Sequence, residues 1–245
     1  WMNNTNYMSG TGNNFLISEY MGEKTNIEII SMVSDSIFDI DGVIFIEKIN
    51  NNTVKMNYFN NDGSTAELCV NGIRCVAKYA YDNELVDSNI ITVIAPIGAI
   101  KTVVDDNIVS ILINEPSYDK NKIKIDNYEC VIANIGNPHL LIEVSDVENF
   151  NLLDFADNVN NSDLLKVEPN IEIYKITDNK FIEARVHERG VGETDACGSG
   201  AICMFYYLFD TQKIDSNSIV LYPGGELEMS FKDNMIQLKG EVTYL

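Results

Sequence analysis

The sequence predicts an α+β fold of two homologous lobes, each a curved, mainly antiparallel sheet wrapped around a central buried helix, with an active site in the cleft between them. Three observations predict it. The chain repeats itself once, with the same landmarks in the same order. Each half is rich in short β-type runs separated by turn residues. And Ala201-Ile-Cys-Met-Phe-Tyr-Tyr-Leu-Phe209 is apolar on every face, which a helix tolerates only when buried all round.

The repeat is read by laying the sequence on itself. Cys69-Val-Asn-Gly-Ile-Arg-Cys75 matches Cys197-Gly-Ser-Gly-Ala-Ile-Cys203, and Tyr79 then falls on Tyr207. Pro96 follows Cys69 by 27 residues and Pro223 follows Cys197 by 26. Upstream, Gly12-Asn13-Asn14-Phe15 echoes Gly136-Asn137-Pro138-His139. The lobes are expected at 1–115 and 116–245, with 115–126 as the linker.

The elements follow in order. Residues 42–49 and 53–59 form a hairpin across Asn50-Asn51-Asn52, since β-branched and aromatic residues flank a turn. Residues 90–95, 99–104 and 108–113 form a strand meander. The second half repeats both, as a hairpin over 171–176 and 181–186 and a meander over 218–222, 226–231 and 235–238. Between hairpin and meander each half carries one helix that begins at its cysteine, Cys69 or Cys197.

Composition excludes several classes. Lys+Arg number 17 against Asp+Glu 37, a net charge of −20 with pI near 4.3. Such a field repels a polyanion, so no nucleic acid partner is expected. No run of about 18 apolar residues marks a membrane span, and the N-terminus lacks a basic-then-apolar leader pattern. The five cysteines are odd in number, which reads as reduced thiols in a cytoplasm. With two histidines and no C-x-x-C, no metal site is expected. The implied partner is a small amino acid, and a homodimer is compatible with the sequence.

Cys69 and Cys197 stand apart from Cys75, Cys130 and Cys203, which read as small core residues. Each lies in a Gly/Asn/Ser context at a helix start, where unpaired N–H groups and the helix dipole favour an anion. A thiol there is expected to have its pKa lowered toward neutrality. A carboxylate is expected on the N–H groups of Val70, Asn71 and Gly72 and of Gly198, Ser199 and Gly200. Two equivalent thiols facing one cleft suggest two-base proton transfer at a carbon, as in a racemase or epimerase, with the helix N-termini stabilising an enolate-like intermediate. No cofactor is then required.

Longer stretches sharpen this. They are Gly10-Thr-Gly-Asn-Asn-Phe15, Phe59-Asn-Asn-Asp-Gly-Ser64, Glu67-Leu-Cys-Val-Asn-Gly-Ile-Arg-Cys75, Gly136-Asn-Pro-His139, Glu188-Arg-Gly-Val-Gly-Glu-Thr-Asp-Ala-Cys-Gly-Ser-Gly200 and Pro223-Gly-Gly225. In these the chain resembles the diaminopimelate epimerase family, pyridoxal-independent amino acid epimerases. The resemblance implies that Cys69 and Cys197 are the two catalytic bases and that His139 and Glu188 assist the proton transfers. It implies substrate binding by Asn13, Asn60, Asn137, Asn170 and Arg189, of which Asn60, Asn170 and Arg189 hold the distal end. An Arg with amides suits a distal carboxylate. Val70 and Asp39 replace glycines of the family pattern, and Ser9 replaces a histidine. These departures bear on substrate identity, leaving histidine or lanthionine as rival substrates and a non-catalytic amino acid binder as a rival class.

Overall fold

The structure is a computed structural model and describes residues 5–245. Two compact units divide it, one of residues up to 113 together with 239–245, the other of 114–238.

In the first unit, β1 (Asn6–Gly10), β2 (Asn13–Glu19), β3 (Gly42–Asn50), β4 (Thr53–Asn60), β5 (Ile90–Ala95), β6 (Gly98–Asp105) and β7 (Ile108–Ile113) pair in sequence order. The β2–β3 and β4–β5 pairs are parallel and the rest antiparallel. Helix α1 (Asn26–Ser34) joins β2 to β3. Helix α2 (Val70–Asp82) packs against every one of β1–β7. Its residues 70–80 are all buried, and Ile73, Val76 and Tyr79 are fully so. Each such apolar side chain contributes about 1.5–3 kcal/mol relative to exposure. Of its polar members, Lys78 pairs with Asp82 at 3.0 Å and donates to the Asp106 carbonyl at 3.1 Å.

The second unit repeats the plan. It contains β8 (Ser117–Tyr118), β9 (Ile123–Ile125), β10 (Tyr128–Asn134), β11 (Pro138–Glu143), α3 (Leu152–Asn161), β12 (Asn170–Asp178), β13 (Phe181–Glu188), β14 (Gly192–Thr194), α4 (Gly198–Asp210), β15 (Ser218–Tyr222) and β16 (Gly225–Lys232). Again β11–β12 and β13–β15 are parallel while β10–β11, β12–β13 and β15–β16 are antiparallel. Both hairpins carry a register shift just before the turn, between Lys48 and Asn50 and between Ile176 and Asp178. After each buried helix the chain returns to the hairpin turn, where Asp87 N–H donates to Asn51 O and Asp215 N–H to Asn179 O, both at 2.9 Å.

Several expectations are corrected. Helices α1 and α3 were not expected. Thr25 caps α1 in a full capping box with Glu28, and Asn151 caps α3 by accepting from Asp154 N–H. The segment 115–126, expected as a linker, carries β8 and β9, which pair with β10. The closing segment, expected in the second lobe, pairs with β1 instead. In β17 (Met235–Tyr244), Val242, Thr243 and Tyr244 lie opposite Gly10, Ser9 and Met8. Val242 N–H also donates to Asn107 O at 2.8 Å. No helix among the described residues is long and apolar enough to cross a membrane.

Candidate active site

The chemistry-bearing residues collect at the N-termini of α2 and α4. Cys69 is the N-cap of α2 and Cys197 the N-cap of α4, both with extended backbone (φ −130°, ψ 92° and φ −137°, ψ 108°). That conformation turns the chain from the preceding loop into the helix and leaves the first N–H groups pointing outward.

In the first unit a chain of amides supports this turn. Arg74 is fully buried; its Nη1 donates to Asn71 Oδ1 at 2.8 Å and its Nη2 to Thr11 Oγ1 at 2.6 Å. Asn71 Nδ2 donates to Asn13 Oδ1, and Asn13 Nδ2 to Asp41 Oδ2 at 3.3 Å. Asn61 N–H donates to Asp41 O at 3.0 Å, which ties the Asn60 turn to the same network. Asn60 accepts from Tyr58 Oη at 2.8 Å and donates to Ser64 Oγ at 2.9 Å. Gly72 is closely packed: a Cβ there would lie 3.0 Å from Met56 Cε and 3.1 Å from both Cys69 Sγ and Ile44 Cδ1, so these side chains would have to give by a few tenths of an ångström. Burial lowers the Arg74 pKa to about 10 and raises that of Cys75 to about 12.

In the second unit, Cys197 Sγ accepts from Gly200 N–H at 3.3 Å and lies 3.3 Å from Ser199 Oγ. His139 is fully buried on β11, with Nε2 3.3 Å from Asn137 Oδ1 and Nδ1 3.4 Å from Glu172 Oε1. The Tyr222 hydroxyl donates to Glu172 Oε2 at 2.9 Å and lies 3.1 Å from the Cys197 carbonyl oxygen. Glu188 accepts from Thr194 Oγ1. Burial pushes the Cys197 thiol well above the ordinary thiol range, and the charges of Glu172 and Glu188 push it the same way, against the bonds from Ser199 and Gly200. The expected lowering at a helix N-terminus is therefore overturned for Cys197, because desolvation and two carboxylates outweigh the dipole.

The chain is similar over nearly its whole length to known proteins. A family profile described as diaminopimelate epimerase matches residues 5–117 and 131–245. A diaminopimelate epimerase of Brachyspira hyodysenteriae is 31% identical, covering 97% of this chain and 95% of the relative. One of Thermotoga maritima is 31% identical, with 96% of each chain covered.

The chain belongs to the diaminopimelate epimerase family.

Among solved structures, a phenazine biosynthesis PhzC/PhzF protein of Clostridium difficile superposes with a TM-score of 0.73 at 13% identity, covering 98% of this chain and 96% of that one. A proline racemase of Agrobacterium radiobacter gives 0.71 at 11% identity, covering 98% and 90%. These share the fold.

Within this member of the diaminopimelate epimerase family, the structure gathers the expected residues unit by unit. Cys69, Val70, Asn71, Gly72 and Asn13 meet at the start of α2. His139, Asn137, Asn170, Glu188, Cys197, Gly198 and Ser199 meet around the start of α4. His139 lies opposite Asn170 in the β11–β12 register, and Asn170 Oδ1 accepts from Arg189 N–H at 2.8 Å. The Arg189 side chain itself is exposed.

Two charged residues escaped the sequence reading. Glu172, on β12, is fully buried beside His139 and Cys197, and Arg74 is fully buried under Asn71. The donor atoms of His139, Glu172 and Cys197 lie within 4.8 Å of one another. Of these atoms, His139 Nδ1 and Glu172 Oε1 have no hydrogen-bond partner among the described residues, while Cys197 Sγ accepts from Gly200 N–H.

Proposed function

We propose that the chain is a cofactor-independent isomerase that interconverts LL- and meso-diaminopimelate by inverting one α-carbon, with Cys69 and Cys197 as the two bases. The observation that carries this reading is the duplicated N-cap cysteine, each at the mouth of a buried helix, in a chain of the diaminopimelate epimerase family. One thiolate takes the α-proton, and the C–H electron pair passes into the conjugated carboxylate. The other thiol then gives its proton to the opposite face. Helix N–H groups stabilise the extra negative charge on the carboxylate oxygens. His139 and Glu188 assist the transfers. Arg189, with Asn60 and Asn170, takes the distal carboxylate. Thiol chemistry of this kind suits a reducing cytoplasm.

The test is deuterium wash-in. Purified protein is incubated in deuterium oxide with diaminopimelate, lanthionine and histidine, and the products are resolved by chiral chromatography. Inversion and α-deuteration of diaminopimelate are expected. Turnover of histidine alone would reject the substrate, and no exchange with any of the three would reject the reaction.

A further inference from the structure

His139 and Glu172 face each other in a way that their hydrogen bonds leave unexplained. His139 Nδ1 and Glu172 Oε1 stand 3.4 Å apart, both fully buried, and neither has a hydrogen-bond partner among the described residues. The other side of each group is held. His139 Nε2 lies 3.3 Å from Asn137 Oδ1, an acceptor, so Nε2 of the neutral ring carries the hydrogen and Nδ1 presents a lone pair. The Tyr222 hydroxyl donates to Glu172 Oε2 at 2.9 Å, which leaves Oε1 as the second lone-pair donor. Two such atoms turned toward each other in a buried space repel unless a cation lies between them. Cys197 Sγ lies within 4.8 Å of both.

We propose that His139 Nδ1, Glu172 Oε1 and Cys197 Sγ form a binding site for a divalent transition-metal ion of the zinc class, and that occupancy of this site switches the enzyme off. The geometry suits such an ion. With ligand distances of about 2.0–2.2 Å for nitrogen and oxygen, a separation of 3.4 Å subtends about 110° at the metal, close to tetrahedral. A sulfur at about 2.3 Å from the ion would sit about 3.6 Å from the other two, so Sγ must draw in by at most about 1.2 Å from its limit of 4.8 Å. One imidazole, one carboxylate and one thiolate are a zinc-type donor set, not one for magnesium or calcium. The charges cancel, since a divalent ion with one carboxylate and one thiolate is neutral, as a buried site requires. Asn137, Tyr222 and Gly200 N–H orient the three ligands from outside, the arrangement of a supported metal site. Cys197 keeps 5% of its surface exposed while His139 and Glu172 keep none, so the ion enters past the sulfur.

The fold itself does not demand this set. The repeat aligns Phe15 with His139, and the parallel registers place Gly42 opposite Phe15 and Asn170 opposite His139. Two residues further along, Ile44 is the counterpart of Glu172. The packing agrees, because Ile44 bounds the space for a Cβ on Gly72 as Glu172 bounds that on Gly200. Around Cys69 these two positions are a phenyl ring and an isoleucine, which cannot coordinate. Composition gave no hint of the site, because its ligands come from β11, β12 and the start of α4.

The inhibitory effect rests on the two-thiol reading above. On binding, the Cys197 thiol gives its proton to solvent and its sulfur bonds the ion, with no change of oxidation state. Cys197 then has neither a proton to deliver nor an uncommitted charge with which to take one.

The test uses the full-length reduced protein, stripped with a chelator and titrated with Co²⁺ and then Zn²⁺. One Co²⁺ per chain is expected, with a thiolate-to-cobalt charge-transfer band that Zn²⁺ displaces. Cys197→Ala should abolish the band and Cys69→Ala should retain it. His139→Ala should abolish binding, and Glu172→Gln should weaken it by about tenfold or more, the loss that even outer partners of a metal site produce. No bound Co²⁺ would mean that a proton, not a metal, lies between His139 and Glu172, and would overturn the proposal. So would a band that survives Cys197→Ala or is lost in Cys69→Ala, whether or not the His139 and Glu172 variants fold. Zn²⁺ should stop α-deuteration of diaminopimelate and a chelator should restore it; continued exchange with the site filled would overturn the inhibitory role. The cobalt spectrum does not depend on turnover. A chain that binds the metal yet exchanges no α-proton would reject the function and leave the site, whereas one that exchanges normally and binds no metal would do the reverse.

Discussion

Gly200 and Glu172 share one packing position: a Cβ on Gly200 would fall 1.8 Å from Glu172 Oε1. The helix can approach the strand only because residue 200 has no side chain, and the carboxylate fills the space that remains. Gly200→Ala must therefore displace a buried carboxylate or shift α4. Overpacking of this kind costs about 1–3 kcal/mol, and we expect a lower Tm by thermal unfolding. An unchanged Tm for Gly200→Ala would mean that Glu172 turns aside freely.

Cys69→Ala and Cys197→Ala are each expected to abolish epimerisation, because each face of the substrate needs its own acid or base. General acid–base groups contribute about 10²–10⁴-fold, and losing one of an obligatory pair should lie at or beyond the upper end. Chiral chromatography of the product checks this; near-normal turnover by either variant would refute the two-base scheme.

Arg189→Ala should lower kcat/KM for diaminopimelate about tenfold or more, since a charge-assisted hydrogen bond contributes about 1.5–3 kcal/mol. The loss should be smaller for histidine, which has no distal carboxylate. Its exposed side chain makes a folding defect an unattractive explanation, and circular dichroism of the variant tests that. Equal losses on both substrates would assign Arg189 to the reacting centre.

Stability should fall as the pH rises above about 9. Burial raises the Cys75 thiol to about 12 from an ordinary 9.0. In the unfolded chain this thiol loses its proton near 9, while the folded chain keeps it to about 12. The folded state then binds more protons, so stability declines with pH across that window, by up to about 1.4 kcal/mol per unit for one group. Denaturant unfolding of Cys75→Ala between pH 8 and 11 should show a shallower decline than the unmodified protein. Parallel slopes would contradict this.

Much of this architecture is legible in the sequence because it is written twice. The hairpins, the meanders and the helix starts at Cys69 and Cys197 come from local turn chemistry and periodicity, and repetition confirms each. The helices α1 and α3 were missed for a different reason. They are short, of 9 and 10 residues, and α3 contains three asparagines, so propensity is weak. The Thr25–Glu28 capping box was the available signal. Glu172 was missed because Ile171-Glu172-Ile173 alternates like a strand with one wet face. Residues 170–174 are in fact buried on both faces, and alternation cannot distinguish a solvated glutamate from one turned toward a buried helix. Arg74 is similarly ambiguous, since a lone arginine in a helix ordinarily reaches water.

The pairing of β17 with β1 bears on how the protein is made. Residues 239–245 leave the ribosome after all of 114–238, yet they belong to the unit that begins the chain. Until they arrive, β1 has β2 on one side and lacks its partner on the other, an open strand edge of the kind that recruits other chains. The second unit has no such wait, because its strands are contiguous in synthesis. Nascent chains halted before residue 239 should therefore display a folded second unit behind an adhesive first one, which makes the first unit the natural client of chaperones during translation.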